Sequence, residues 1–93
     1  MILIVTPNPC IDKTLFVESI VPKAKIKVEK VKEIAGGKGS NVSRVLHRLG
    51  VEVGHFIILG GHTGQRVKNL MELDGVLVYP AWISQLTRVV TTI

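Results

Sequence analysis

The stretch "EIAGGKGSNVSRVL", residues 33–46, sets Gly36, Gly37 and Gly39 around Lys38 directly ahead of a helical pattern. A helix start offers unpaired N–H groups and the positive end of the helix dipole. Glycines let a ligand reach the backbone, and a lysine adds a mobile charge. Such a cradle suits an anion or a hydroxyl-rich molecule. Two familiar templates do not fit it. A dinucleotide fingerprint aligned on Gly37 and Gly39 needs glycine or alanine where Val42 stands, and a P-loop needs serine or threonine where Gly39 follows Lys38. The plain structural alternative is a tight strand-to-helix turn with no ligand.

The cradle has company. "NPCID" places the Asp12 carboxylate just beyond the first apolar run, and open α/β sheets bind ligands at the C-terminal ends of their parallel strands. An ionised Asp12 accepts hydrogen bonds from hydroxyls, whereas Asn41 can both donate and accept. Together they suit a polyol, with Lys38 and Arg88 left for a phosphate on the same molecule. Cys10 follows Pro9 with no base nearby in sequence, so it is expected to be a packed, inert thiol. His47 falls off the apolar stripe of its helix and is expected to face solvent. His55, inside an apolar run, is expected to be packed or edge-exposed.

Alternating strands and helices must position these groups. "MILIVT" reads as a strand buried on both faces, closed by Pro7 to Pro9. "TLFVESIV" predicts a second strand up to Pro22, and the lysine-rich "KAKIKVEKVK" a third with one wet face. Ser40 or Asn41 is expected to cap a helix whose Val42, Val45, Leu46 and Leu49 form the core-facing stripe, ending at Gly50. "VEVGHFIILGG" is a strand with Phe56 to Leu59 as a buried run. A helix over "HTGQRVKNLMELDG" follows, with Val67, Leu70 and Met71 on its inner face. "VLVY" and "TRVVTTI" read as two further strands. The alternation predicts an α/β fold, a mostly parallel sheet with flanking helices; the lysine-rich region and its neighbour form a small projecting sheet.

Composition narrows the function classes. The chain has 93 residues, enough for one small domain, and at 46% hydrophobic it is suited to a packed core rather than disorder. One cysteine excludes an internal disulfide, and no apolar run has the roughly 18 residues of a membrane span. The expectation is a cytoplasmic protein with no membrane partner. The net charge of +5 is concentrated: Lys23, Lys25, Lys27, Lys30, Lys32 and Lys38 are half of the 12 basic residues. No aromatic platform or binding-helix motif accompanies them, so a nucleic-acid partner is not expected. No metal-ligand pattern is present.

"TPNPCIDKT", "AGGKGSNVSRVLHRLG", "LGGHTG" and "LTR", in this order and spacing, resemble the N-terminal third of a PfkB-type carbohydrate kinase of the ribokinase-like fold. The 1-phosphofructokinase and tagatose-6-phosphate kinase branches look most similar. The resemblance covers essentially the whole chain. It implies that Asp12, Gly37 and Asn41 hold sugar hydroxyls, with Gly36 and Gly39 in the same wall, and that Lys38 and Arg88 lie by the substrate phosphate. It further implies that residues at about 14–34 form a lid, which packs on a partner's lid in a homodimer and whose Lys25 reaches the partner subunit's sugar phosphate. Val90, where asparagine is frequent, and Cys10, where alanine is frequent, depart from the pattern and leave the branch open.

Full-length members use ATP and Mg2+, and their catalytic aspartate lies in a Gly-Ala-Gly-Asp stretch that these residues do not contain. Residues 1–93 are therefore expected to be the N-terminal part of a sugar kinase domain, without the nucleotide-binding and catalytic part. They are expected to form the sugar-phosphate-binding part of a kinase acting on a ketohexose phosphate such as fructose 1-phosphate, and by themselves not to phosphorylate it. A non-catalytic, dimerising sugar-phosphate-binding module is the alternative.

Overall fold

The β-branched runs and the two helical periodicities each form one element of the computed structural model, which describes residues 1–93. In chain order these are β1 (Ile2–Thr6), β2 (Cys10–Val17), β3 (Val28–Gly36), α1 (Lys38–Arg48), β4 (Val53–Gly60), α2 (Gly61–Leu73), β5 (Leu77–Ile83) and β6 (Arg88–Thr92). They build two three-stranded sheets. The first is all parallel, in the order β1-β4-β5. The second has the order β3-β2-β6, with β2 antiparallel to β3 and parallel to β6. No helix is long and apolar enough to cross a membrane.

Several expectations change. β6 joins the small sheet beside β2 rather than extending the parallel one. β2 starts at Cys10, so Asp12 lies beyond the end of β1 but is itself within a strand. Lys23, Lys25 and Lys27 lie outside any strand, in the exposed connection between β2 and β3, because the strand pairing ends at Val17 and Val28.

The parallel sheet is covered on one face only. Its strand order advances in one direction, and right-handed crossovers then carry both helices to the same side. β1 is therefore not buried on both faces: Leu3 and Val5 are exposed. β4 alternates where a continuous buried run is expected, with Ile57 and Leu59 inward and Phe56 and Ile58 outward. Register aligns Val5, Phe56 and Tyr79 in one row across the open face, and the Phe56 and Tyr79 rings stack at 5.1 Å. The core joins both sheets to α2: Ile11 and Ala35 from the small sheet meet Ile57, Leu59, Val67, Met71 and Val76.

Helix α1 reverses its expected orientation. Its buried residues are Ser40 and Ser43, while Val42, Val45 and Leu49 are exposed. The cause lies in the strands beneath. His55, fully buried, is hydrogen-bonded to the Thr6 hydroxyl through Nε2 (2.5 Å) and to the Ser43 hydroxyl through Nδ1 (2.9 Å). A neutral imidazole carries one N–H and one lone pair, and a hydroxyl complements either, so both hydroxyls are satisfied in either tautomer. Turning the valine stripe inward would withdraw Ser43 and leave Nδ1 buried without a partner, at a cost of about 1–3 kcal/mol. The helix starts at Lys38 with Gly37 as its N-cap and no side-chain cap, so neither Ser40 nor Asn41 caps it.

Burial pushes the His55 imidazole down from 6.5 to about 4. Between those pH values the unfolded chain binds a proton that the folded chain refuses, so stability is full above about 6.5 and falls as pH drops toward 4. This group alone accounts for a loss of up to about 3 kcal/mol. Urea unfolding at pH 7 and pH 4.5 should show that loss, and the difference between wild type and His55→Asn should shrink across the same interval; a constant difference would contradict it.

Candidate functional site

The loop Pro7–Pro9 links β1 to β2 and lies where the two sheets meet. Four of the sequence-predicted site residues gather at this loop or at Cys10 directly after it. Register sets Cys10 of β2 between Gly36 of β3 and Arg88 of β6, so one row of the small sheet carries all three. A Cβ placed on Gly36 would lie 2.5 Å from both Asp12 Oδ2 and Cys10 Sγ, which means the Asp12 carboxylate occupies the space over that glycine. Gly37 takes a φ of +102°, a left-handed conformation that turns β3 into α1. A Cβ on Gly37 would come within 3.4 Å of Pro9 Cα and 3.6 Å of the Asn8 carbonyl. From the other side Arg88 Nη2 donates to that same carbonyl at 3.5 Å. Gly37 and Arg88 thus share the loop, Gly36 and Asp12 adjoin it through Cys10, and Lys38, Gly39 and Asn41 extend the group along the first turn of α1.

Each member is held from below. Gly39 lies against Thr6 and Ile4 of β1 so closely that an added Cβ would overlap the Thr6 hydroxyl. The network beneath His55 therefore also sets the height of the cradle. Arg88 is placed by its neighbour Thr87, which clamps β6 to the start of α2. Thr87 Oγ1 accepts from the Gly60 N–H at 3.0 Å, the Thr87 N–H donates to the Gly60 carbonyl at 3.0 Å, and Thr63 Oγ1 donates to the Thr87 carbonyl at 2.6 Å. A cleft of about 250 Å³ opens beside Arg88, lined by Asn8, Gln85 and Thr87 among others.

The electrostatics match a bound polar ligand more than a reactive thiol. Cys10 is buried and donates to Asp12 Oδ1 at 3.5 Å. Burial raises its pKa above the ordinary value, the Asp12 hydrogen bond and charge raise it further, and Arg88 opposes them in part. The thiol stays protonated, as the expectation of an inert cysteine required. Asp12 is the one carboxylate in the group, and no cluster of three acidic, histidine or cysteine side chains exists to hold a metal.

Lys25 is not part of this assembly. The β2–β3 hairpin runs away from the site, and Lys25 lies past its far end near Glu18 and Glu29, roughly 20–25 Å along the strands from Cys10. The residues that sequence inspection missed are Thr6, Ser43 and Thr87, which support the site without facing it. "TPNP" and "LTR" contain Thr6 and Thr87, but no periodicity marks a threonine as a clamp.

Replacing Gly39 by alanine should lower the unfolding free energy by about 1–3 kcal/mol through overpacking against Thr6. Thr87→Val should cost a similar ~1–3 kcal/mol by leaving the buried Gly60 N–H unpaired. Chemical denaturation of the two variants checks both; wild-type stability in either would contradict the corresponding contact.

Known proteins share this fold. A model of the family described as pfkB family carbohydrate kinase matches residues 5–89. The chain is 35% identical over 94 aligned positions to 1-phosphofructokinase of Haloferax volcanii, covering 100% of this chain and 31% of the relative. It is 30% identical to D-tagatose-1-phosphate kinase of Klebsiella oxytoca, covering 96% of this chain and 29% of that one. Among solved structures, phosphofructokinase-2 from Escherichia coli in complex with fructose-6-phosphate aligns with a TM-score of 0.87 at 27% identity, over 95% of this chain and 29% of its own. The tetrameric inhibited form of that enzyme aligns at 0.88 and 27% identity, over 97% of this chain and 30% of its own. The chain thus spans about a third or less of each relative's length. With the family model matched over nearly its whole length, this chain belongs to the pfkB family of carbohydrate kinases and has a ribokinase-like α/β architecture.

Proposed function

We propose that this chain supplies the sugar-phosphate-binding wall of an ATP-dependent kinase acting on a ketohexose phosphate such as fructose 1-phosphate. The observation that carries this reading is the convergence of Asp12, Gly36, Gly37 and Arg88 on the corner formed by the Pro7–Pro9 loop and Cys10. Asp12 accepts from sugar hydroxyls, Gly37 and Asn41 provide backbone and amide contacts at the helix start, and Lys38 and Arg88 pair with the phosphate. The names of the relatives support a phosphorylated sugar as substrate.

Phosphoryl transfer depends on positioning and charge stabilisation. These residues fit the positioning of an acceptor. They do not fit Mg2+, since Asp12 is the only carboxylate of the group and no metal-holding cluster exists, so no step through nucleotide or metal is assigned to them. On this reading the 93 residues alone bind the sugar phosphate and give no measurable ATP-dependent turnover of it. Self-association belongs to the same proposal: Phe16, Ile26, Val28 and Val31 are exposed along the β2–β3 arm, and one relative is described as a tetramer. Sedimentation should give a dimer or larger, and a monodisperse monomer would count against it.

Calorimetric titration tests the site. Lys38→Met and Arg88→Met should each weaken fructose 1-phosphate binding by about 3- to 10-fold, the range for partly exposed charge-assisted hydrogen bonds. Affinity for unphosphorylated fructose should not change. An equal loss for both sugars would remove the phosphate role of these two residues.

A further inference from the structure

Asn41 does not stand free at the head of α1. Arg44, one turn further along, donates from Nη2 to Asn41 Oδ1 and from Nη1 to the Ala35 carbonyl at 2.7 Å. The same Nη1 lies 4.0 Å from Asp74 Oδ2 in the turn after α2, and the Arg44 side chain is only 14% exposed. The guanidinium is thus tied to β3, to α1 and to the end of α2. A guanidinium has five donors and no acceptor, so the amide atom that meets it must be the oxygen. The Asn41 amide is therefore not free to flip: Arg44 holds one lone pair of its oxygen, and its NH2 group is turned away from Arg44.

We propose that Arg44 is a positioning residue that holds the Asn41 amide in the orientation that presents its NH2 group as a hydrogen-bond donor to the ligand. This rests on the sugar-phosphate reading of the site. It changes what the site can recognise. Asp12, when ionised, only accepts, whereas Asn41 so held presents its two N–H donors. Asp12 occupies the space over Gly36, and Arg44 is anchored on the carbonyl of the adjacent Ala35, so the same strand end ties both groups together. The matching ligand offers a hydroxyl proton to Asp12 and an oxygen lone pair to Asn41. A polyol meets both demands.

A double-mutant cycle tests the coupling, with fructose 1-phosphate as the probe. Asn41→Ala should weaken binding by about tenfold in the wild-type background, roughly the worth of one well-placed hydrogen bond. In the Arg44→Met background, where the amide is no longer oriented, the same change should cost less than about threefold. Arg44→Lys, which keeps a donor, should recover part of the coupling. Should Arg44→Met fail to fold, the Arg44→Lys cycle and the Asn41 side-chain NH2 resonances of the wild type decide instead: those resonances should shift on titration. Equal cost of Asn41→Ala in both backgrounds would overturn the role of Arg44 while leaving the site intact, and unmoved resonances at saturation would remove Asn41 from the site and this inference with it. No binding of fructose 1-phosphate, fructose 6-phosphate or tagatose 6-phosphate by the wild type would overturn the sugar-phosphate reading and this inference with it.

Discussion

A single buried imidazole governs the geometry of this chain. His55 lies on the central strand of the parallel sheet, where every neighbour is strand or helix and water is excluded. Its two nitrogens need partners, and only Thr6 of β1 and Ser43 of α1 supply them. That demand sets the roll of α1 about its own axis. The serine face turns to the sheet, the valine face turns away, and the first turn of the helix comes to rest on Thr6 at Gly39. The cradle at residues 36–41 is thus positioned by a polar contact in the core.

The second constraint is the seam between the sheets. β1 ends at Thr6, and three residues later the chain enters a different sheet. A crossing that short leaves Asn8 exposed at a corner, with its carbonyl shared by the surroundings of Gly37 and the guanidinium of Arg88. On the far side the Thr87–Gly60–Thr63 hydrogen bonds lock β6 beside β2. Residues 12, 36 and 88 are far apart in sequence, yet three adjacent strands bring them together. The site is a property of the seam, and neither sheet alone would assemble it.

Element types were largely legible in the sequence. "MILIVT", "VEVGHFIILGG" and the two helical stretches are strong periodic signals, and each forms the element it predicts. What failed was the assignment of faces. Val42, Val45 and Leu49 carry an apolar stripe whose spacing cannot reveal that a histidine waits beneath the other side. Phe56 and Ile58 look like core residues until the handedness of two crossovers puts both helices on the opposite face. Lys25 and Lys27 alternate with apolar neighbours as a strand would, but the pairing of Val17 with Val28 ends the ladder before reaching them.

The sequence by itself determined the class of fold, the glycine-lysine cradle and the company it keeps in Asp12, Asn41 and Arg88, because those depend on residue type and short-range spacing. The resemblance carried by "AGGKGSN" and "NPCID" likewise lies in local strings, which is why it was visible without coordinates. Only the tertiary structure decided which side of α1 meets the sheet, which sheet β6 joins and which end of the Asn41 amide is free. Each of those depends on a partner distant in sequence or on another segment's side chain: His55 for α1, Cys10 to Thr14 for β6, and Arg44 anchored on Ala35 for Asn41. Spacing along a chain specifies what a segment can become; the groups waiting across the fold choose which of its faces is used.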